Sequence, residues 1–228
     1  MRRVAVYAGT RNVYGAMTTA AKSLLWHTRM DRVIFLIEDP IFLPNELPRM
    51  IETKDVSRQR FFPAGGPNYE NRWTYMTLMR LAMPELLPEE ARALWLDVDT
   101  IVTEDIGDLF ETDMRGCPVS AAREPPWSRP RRIYYNAGVL LMDLQLMRED
   151  GTAWRLIDRV NRQKLDFGDQ DAINIECEGR ILDMDPVYNA SDWTARPAEA
   201  RILHYAAVRD YQNDALFRAW AAREWPEI

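Results

Sequence analysis

Short runs of β-branched and aromatic residues alternate along this chain with stretches whose apolar residues recur at helical spacing. Such alternation favours an α/β fold, in which helices cover a mostly parallel sheet. The run Arg32–Ile37 is continuously apolar after its first residue, as is typical of a parallel strand buried on both faces. We therefore predict an α/β protein with a mostly parallel central sheet flanked by helices.

The same pattern gives the expected order of elements. Strands are predicted at Arg3–Ala8, Arg32–Ile37, Ala93–Leu96, Val119–Ala122, Ile133–Asp143 and Arg201–Tyr205. Helices are predicted at Gly15–His27, Asn71–Met83, Leu144–Gln163, Asp169–Cys177 and Asp214–Arg223. Pro84 is expected to end the second helix, and Thr53–Tyr69 to form a long surface loop, because it is rich in glycine and proline. Since no repeat or linker divides the sequence, residues 1–228 are expected to form one domain.

Charge and composition narrow the range of partners. The chain has 29 Lys and Arg against 35 Asp and Glu, a net charge of −6, so we expect no nucleic-acid partner. Its two cysteines are too few for a disulfide framework and fit a reducing compartment. No apolar run approaches the roughly 20 residues of a transmembrane helix. The first apolar stretch ends at Gly9, too early for an export signal, so we predict a soluble, cytoplasmic protein.

The clearest candidate for chemistry is the segment Leu96-Asp97-Val98-Asp99, which follows the third predicted strand. Residues two apart in a strand point to the same face, so the two carboxylates converge. Two neighbouring carboxylates repel each other unless a cation lies between them or one is protonated. Ligands of open α/β sheets bind at the carboxyl ends of strands, so a divalent cation is expected here. The alternative is a solvated turn.

Three further segments carry polar residues within apolar or helical patterns. Asn136 and Gly138 interrupt a predicted strand, where a glycine permits close backbone approach or a bulge. Asp169 begins a predicted helix, where it would serve as an N-cap whether or not it has a chemical role. His204 is one of two histidines. Alone it is more typical of a structural residue, but the acidic pair needs a third ligand.

In their order along the chain, these segments resemble glycosyltransferase family 8, which includes glycogenin and the bacterial lipooligosaccharide galactosyltransferases. The matching motifs are Leu96-Asp97-Val98-Asp99 for Asp-x-Asp, Tyr135–Met142 for the Asn-Ala-Gly-Val strand, Asp169–Asn174, and His204-Tyr205. The resemblance extends from the first strand to His204. It implies a GT-A fold and a retaining transfer of a hexose, glucose or galactose, from a UDP-sugar to an acceptor.

By this resemblance Asp97, Asp99 and His204 would bind Mn²⁺, which bridges the donor diphosphate. A departing nucleoside diphosphate needs its developing charge neutralised by a Lewis acid. Carboxylate and diphosphate oxygens suit a hard ion, and one imidazole favours Mn²⁺ over the alternative, Mg²⁺.

The resemblance also implies the remaining site residues. Those predicted to bind the donor are Ala8, Thr10, Asn12, Arg80, Asn136 and Arg209. Gln170 and Asp169 are the predicted catalytic residues, beside the transferred sugar. The Gln170 amide is a poor nucleophile. We therefore favour a front-face reaction, in which the leaving diphosphate helps to deprotonate the acceptor and Gln170 stabilises an oxocarbenium-like centre, over double displacement.

One departure from the family concerns the diphosphate. The family often follows its histidine with a Lys-Pro-Trp segment whose lysine contacts the donor, whereas this chain continues from His204 to Arg209 without one. Arg209 is the candidate replacement, although an arginine fork is not equivalent to a lysine. The missing segment keeps open a second function, a sugar-nucleotide- or carbohydrate-binding protein without turnover.

A third function, an aspartate phosphatase of the haloacid-dehalogenase type, also uses Asp-x-Asp after a strand. That pattern expects Gly-Thr or Gly-Val next, whereas Thr100-Ile101 follows here. The acceptor of a transferase is open: a carbohydrate, a lipid-linked sugar or a protein hydroxyl. The segment Arg123–Arg132, with Trp127 and four arginines, is either an acceptor-side loop or a solvated basic loop. The sequence also leaves a homo-oligomer open.

Overall fold

A computed structural model of the chain describes residues 2–42, 47–70, 73–128 and 133–227. Its strands are β1 (Val4–Gly9), β2 (Arg32–Ile37), β3 (Ile51–Asp55), β4 (Arg92–Leu96), β5 (Thr100–Val102), β6 (Val119–Arg123), β7 (Tyr135–Asp143), β8 (Ile181–Asp183) and β9 (Ile202–His204). Its α-helices are α1 (Tyr14–His27), α2 (Met79–Leu86), α3 (Leu144–Glu149), α4 (Thr152–Arg162), α5 (Gly168–Glu176) and α6 (Ala215–Ala221).

Within the described residues, seven strands form one sheet in the order β3-β2-β1-β4-β7-β6-β8. The first four strands of this order are parallel to one another. Strand β7 runs antiparallel between β4 and β6, and β8 is parallel to β6. The predicted fold class, α/β with a mostly parallel central sheet, is confirmed.

Both faces of this sheet are buried, because successive side chains of a strand point to opposite sides. On one face, Val4 and Val6 of β1 pack with apolar residues of α2 to α5. On the other face, Ala5 and Tyr7 of the same strand pack with residues of α1. This two-sided burial accounts for the apolar run of Arg32–Ile37 from which the fold class was predicted.

A second, two-stranded sheet brings distant parts of the chain together at the end of β4. Strands β5 and β9 pair antiparallel, with Thr100 opposite His204. Ile101 of β5 is fully buried against Phe217 and Trp220 of α6. Because β5 begins one residue after Asp99, this pairing positions His204 next to the acidic segment.

The structure corrects several predicted elements. The predicted loop Thr53–Tyr69 begins inside strand β3, whose pattern of one buried and four partly or fully exposed residues is that of a sheet edge. Strands β5 and β8, each three residues long, were not predicted. The helix predicted at Leu144–Gln163 is two helices, α3 and α4, because Gly151 adopts a left-handed conformation with φ 73° between them.

The second predicted helix was also wrong in its ends. Tyr75–Leu78 is a 3₁₀ helix, and α2 then continues through Pro84 to Leu86. A proline removes one N–H donor but leaves the following residues free to complete the turn, so it does not end this helix at once. The predicted start, Asn71, lies outside the described residues. In the part of the chain that the structure describes, no helix has both the length and the hydropathy of a membrane-spanning segment.

Candidate metal and donor site

A cavity of about 750 Å³ opens where β1, β4 and β7 meet the loops that follow or precede them. Its volume is in the range of small-molecule sites. Residues from eight separate parts of the chain line it, and most of the predicted site residues are among them. These are Ala8, Thr10, Asn12, Arg80, Asp97, Asp99, Asn136, Asp169, Gln170 and His204.

Asp97, Asp99 and His204, which we call the metal cluster, come together as predicted. Each offers one ligand atom, and these atoms all lie within 4.8 Å of one another. His204 Nε2 is 3.4 Å from a carboxylate oxygen of Asp99 and 3.9 Å from one of Asp97. Two carboxylates and one imidazole around a common point suit a divalent cation of the Mn²⁺ or Mg²⁺ kind, so these residues fit the predicted ion.

Gly138 explains why His204 can approach so closely. A Cβ atom at this position would lie 2.0 Å from His204 Cε1, far inside van der Waals contact. The Gly138 carbonyl also accepts a hydrogen bond of 2.8 Å from the Asp97 N–H. The prediction for this glycine was close approach or a bulge. Close approach is confirmed, with the imidazole ring as the partner, and the β6–β7 pairing is also irregular between Ala121 and Arg123, opposite this part of β7.

Arg80 is buried beneath the metal cluster and joins two carboxylates. Its Nη2 donates to Asp97 Oδ1 at 2.8 Å, and its Nε lies 3.0 Å from Asp169 Oδ2. The guanidinium also lies over the ring of Trp95, 4.6 Å from the ring centroid, and Trp95 Nε1 donates to Asp97. Arg80 is only 2% exposed, so it acts as a fixed positive charge behind the site.

The two aspartates of the cluster have opposite electrostatic environments. Burial raises the pKa of Asp97 above its ordinary value, although the charge of Arg80 works against this. Burial would also raise the pKa of Asp99, but the neighbouring His204 charge outweighs it and lowers that pKa. Burial opposes charging of His204, yet Asp99 and Asp97 raise the pKa of the imidazole overall. Asp99 and His204 therefore favour each other's charged forms.

On the other side of Arg80, Gln170 is held in one orientation. Its Oε1 accepts a 2.9 Å hydrogen bond from the Ala137 N–H, and its Nε2 donates to Glu124 Oε1 at 3.0 Å. Asn136 Nδ2 reaches the same Glu124 oxygen at 3.3 Å. Gln170 and Asn136 thus lie side by side at the cavity wall, and Glu124 connects them.

The sequence suggested Asp169 as the N-cap of α5, but Asp169 does not hold that position. The N-cap position is Phe167, and the Asp171 carboxylate accepts from the Phe167 N–H at 2.9 Å and from the Tyr134 hydroxyl at 2.5 Å. Asp171 therefore stabilises the start of α5, and Asp169 instead faces Arg80. Burial, opposed by Arg80, raises the pKa of Asp169 to about 6.

One residue that was predicted to bind the sugar donor, Arg209, does not reach the cavity. Arg209 is exposed and is not among the residues that line it, whereas Ala206 and Ala207 of the same loop are. Trp127 does line the cavity, where it packs on Trp193 with ring centroids 5.3 Å apart. We call Trp127 and Trp193 the aromatic pair. Of the arginines in the predicted acceptor loop, those at positions 129, 131 and 132 lie outside the described residues.

Several cavity residues were missed by the sequence analysis. They are Trp73, Phe167, Trp193 and Tyr211, whereas Glu124 lies within the predicted acceptor loop Arg123–Arg132. Burial and the nearby Asp99 raise the pKa of Tyr211 to about 12, so its hydroxyl stays a hydrogen-bond donor. None of these residues stands in a recognisable motif. Tertiary folding alone brings them close to the acidic pair from distant parts of the chain.

Comparison with solved structures shows that this architecture is the GT-A fold. The crystal structure of the glycosyltransferase GlyE of Streptococcus pneumoniae matches 99% of this chain and 61% of its own, with a TM-score of 0.75 and 22% identity. The galactosyltransferase LgtC, solved with donor and acceptor sugar analogues, matches with a TM-score of 0.73 over 96% of this chain and 95% of its own, at 20% identity. At such identities the likeness concerns the fold.

Residues 7–208 match the profile of glycosyl transferase family 8, and the chain belongs to that family. Among curated relatives, the glycosyltransferase GlyA of Streptococcus pneumoniae is 27% identical over 82% of this chain and 28% of its own length. GlyE of the same organism is 28% identical over 82% of this chain and 48% of its own length. The chain thus spans about a quarter to a half of the length of these two relatives.

Proposed function

We propose that this protein is a retaining hexosyltransferase that moves glucose or galactose from a UDP-sugar to an acceptor and depends on Mn²⁺, with Mg²⁺ as the alternative ion. The observation that carries this proposal is the convergence of Asp97, Asp99 and His204 in one cavity with Gln170. A diphosphate leaving group needs positive charge, and these three residues are the ones that would hold the ion supplying it.

The remaining lining residues are assigned roles by their positions. Ala8 lies near the end of β1, and Thr10 and Asn12 follow that strand, beside the metal cluster; all three would contact the nucleoside of the donor. Ligands of open α/β sheets bind at such strand ends. Arg80 keeps Asp97 oriented through its 2.8 Å hydrogen bond. Glu124 and the Ala137 N–H fix the Gln170 amide, so that its oxygen can face a developing oxocarbenium-like centre without rotating.

We further propose that the acceptor enters along the aromatic pair. Trp127 lies on the connection between β6 and β7 and is 63% exposed although it lines the cavity. The loop after β1 lies on the other side of β4 in the sheet order. An exposed tryptophan face next to carboxylate and amide groups suits the apolar face and hydroxyls of a sugar ring, which favours a carbohydrate acceptor.

The function is tested by incubating the purified protein with UDP-glucose or UDP-galactose and measuring UDP release with Mn²⁺ and with EDTA. We expect release with Mn²⁺ that EDTA abolishes, and loss of release in Asp99→Ala. Asp158→Ala is the matched control, because Asp158 is an exposed residue of α4 that pairs with Arg162. Equal release with EDTA would contradict the proposed ion dependence.

A binding protein without turnover is the second candidate. It is favoured by the missing Lys-Pro-Trp segment together with the exposed position of Arg209 outside the cavity lining. Thermal shift with UDP-sugars and Mn²⁺, followed by a broad acceptor screen, distinguishes the two, because a binding protein would be stabilised without releasing UDP. Phosphate release from phosphomonoesters would point to the phosphatase instead. Cell fractionation tests the predicted cytoplasmic location, and light scattering tests for a homo-oligomer.

A further inference from the structure

We propose that Asn189 is a positioning residue for His204. Its side-chain carbonyl holds the proton of the neutral imidazole on Nδ1, so that Nε2 presents its lone pair to the cation. The proposal rests on the proposed ion at the metal cluster. Asn189 lies just after the 3₁₀ helix Pro186–Tyr188, outside every motif that the sequence analysis singled out.

The direction of each hydrogen bond follows from a backbone donor. The Gly138 N–H, which can only donate, lies 2.9 Å from the Asn136 side chain, so that atom must be the amide oxygen, Oδ1. Asn189 approaches the same oxygen at 3.0 Å and must therefore do so with its NH₂ group. This leaves the Asn189 oxygen facing His204 Nδ1 at 2.8 Å.

The last hydrogen bond in this series fixes the tautomer of His204. An amide oxygen accepts hydrogen bonds and cannot donate them, so His204 Nδ1 must carry the proton. If the Asn189 amide were turned over, its oxygen would face the Asn136 oxygen and its NH₂ would face Nδ1. The first of these contacts would set two acceptors against each other. The backbone of Gly138 thus determines, through two amides, which nitrogen of His204 is free.

Burial makes this preference strong. Asn189 is completely buried, and Asn136 and His204 are each 6% exposed. Water cannot replace a lost partner at such positions, and a buried polar group without its hydrogen bond costs about 1–3 kcal/mol. The Asn189 side chain is also anchored from its own backbone, because the Asn189 carbonyl accepts from the Thr194 hydroxyl.

A competing tautomer exists, and it would block the ion. His204 Nε2 lies 3.4 Å from Asp99, so a proton on Nε2 would be attracted to that carboxylate. In this form Nε2 would have no lone pair to offer to a cation. Asn189 opposes this arrangement from the far side of the ring. Partners of this kind behind a metal-bound histidine typically contribute about 10–100-fold in metal affinity.

The first readout is the tautomer itself, measured by ¹⁵N NMR of histidine-labelled, metal-free protein at a pH where the ring is neutral. The chain has two histidines. His27 provides an internal reference, because its Nδ1 lies 2.9 Å from the Ser23 carbonyl and must also carry a proton. A His27→Gln variant assigns the signals. We expect His204 to be protonated on Nδ1 in the parent protein and to shift toward the Nε2-protonated form in Asn189→Ala.

The second readout is the affinity for Mn²⁺ alone, measured by electron paramagnetic resonance without donor. Asn189→Ala should bind Mn²⁺ about 10–100-fold more weakly than the parent. Asn189→Asp retains an acceptor facing Nδ1, as in carboxylate–histidine–metal arrangements, but it also sets a carboxylate oxygen against Asn136 Oδ1. It should therefore bind Mn²⁺ more tightly than Asn189→Ala and more weakly than the parent. Asn68→Ala is the matched control, because Asn68 is 1% exposed and hydrogen-bonded to the backbone of α4 away from the cavity. It should lose thermal stability but keep its Mn²⁺ affinity.

The outcomes separate this proposal from the proposed function. An unchanged His204 tautomer in Asn189→Ala, or an equal loss of Mn²⁺ affinity in the Asp and Ala variants, would overturn the role of Asn189. If the Ala variant does not fold, the Asp variant and the parent tautomer still decide. A parent protein that binds no Mn²⁺ would contradict the proposed ion, while the NMR measurement would still report on the tautomer.

Discussion

The metal cluster and the aromatic pair line the same cavity but are held in different ways. His204 is 6% exposed, lies against Gly138 and is hydrogen-bonded to Asn189. Trp127 is 63% exposed and contacts Trp193 across 5.3 Å between ring centroids. The first arrangement leaves its side chains little freedom to adjust, whereas the second leaves a large part of the indole in contact with solvent.

This difference indicates how each region should respond to substitution. At the metal cluster, moving a side chain by about 1 Å would misplace groups on which the whole proposed reaction depends. At the aromatic pair, a substitution removes contact area without moving the groups that hold the donor. Changes at the metal cluster should therefore affect every step of the proposed reaction, and changes at the aromatic pair should affect binding of the proposed acceptor.

The largest effect is expected for Gly138→Ala. The new Cβ would lie 2.0 Å from His204 Cε1, so the ring must move, and misplacement by about 1 Å can cost about 100-fold. Mn²⁺ affinity and UDP release should both fall by at least that factor. Gly15→Ala is the control, because a Cβ there meets nothing within 4 Å. Parent-like Mn²⁺ binding by Gly138→Ala would show that the ring is not a ligand.

Arg80→Met should have the largest effect on the free energy of unfolding. The substitution leaves the carboxylates of Asp97, which is partly exposed, and of Asp169, which is buried, without their shared guanidinium. Breaking a buried ion pair costs about 3–5 kcal/mol. Urea unfolding measures the loss. Arg162→Met removes the exposed partner of Asp158 and should change the free energy of unfolding by less than about 0.5 kcal/mol. Equal effects of the two substitutions would mean that the ion pairs of Arg80 stabilise the fold no more than an exposed ion pair does.

A smaller effect concerns the pH dependence of stability. The pKa of Asp169 is about 6 in the folded protein, above its ordinary value of 3.8. Between these values the folded state binds more protons than the unfolded state, so stability falls as the pH rises from about 4 to 6. Two pKa units correspond to at most about 3 kcal/mol. Asp169→Asn, unfolded in EDTA at several pH values, should flatten this slope, and an unchanged slope would assign it to another group.

The smallest effect is expected at the aromatic pair. Trp127→Ala should raise the KM for a carbohydrate acceptor roughly threefold to tenfold, since an aromatic contact contributes about 0.5–1.5 kcal/mol. UDP release without acceptor should change less than this. Trp154→Ala is the matched control, because Trp154 is 54% exposed on α4, outside the cavity lining. If both variants leave the acceptor KM unchanged, the acceptor binds elsewhere.

The sequence predicted those features that depend on local patterns. The buried strands were evident because continuous apolar runs are what two-sided burial requires, and Asp97 and Asp99 followed one of them. Gly138 was evident because a glycine in such a strand needs a reason. The family resemblance supplied the pairing of His204 with the two acids, which their separation along the chain conceals.

The remaining features depend on tertiary contacts that leave no periodic pattern. Strand β3 buries one of its five residues, so its sequence lacks the apolar pattern from which the other strands were predicted. The break at Gly151 is visible only in its positive φ angle. Asn189 lies in an irregular segment, and its importance comes from partners 53 and 15 residues away. Asp171, rather than Asp169, satisfies the start of α5 because Tyr134 packs beside it, which the local sequence does not reveal.

The pairing of β5 with β9 also bears on how the protein is made. Thr100 and His204 are partners in this ribbon although about 100 residues separate them. Translation adds about 5–20 residues per second, so the imidazole follows the two acids by on the order of 5–20 s. A nascent chain halted before that point would carry the acidic pair without its third ligand. The proposed cation site can therefore form only after most of the sheet has been translated.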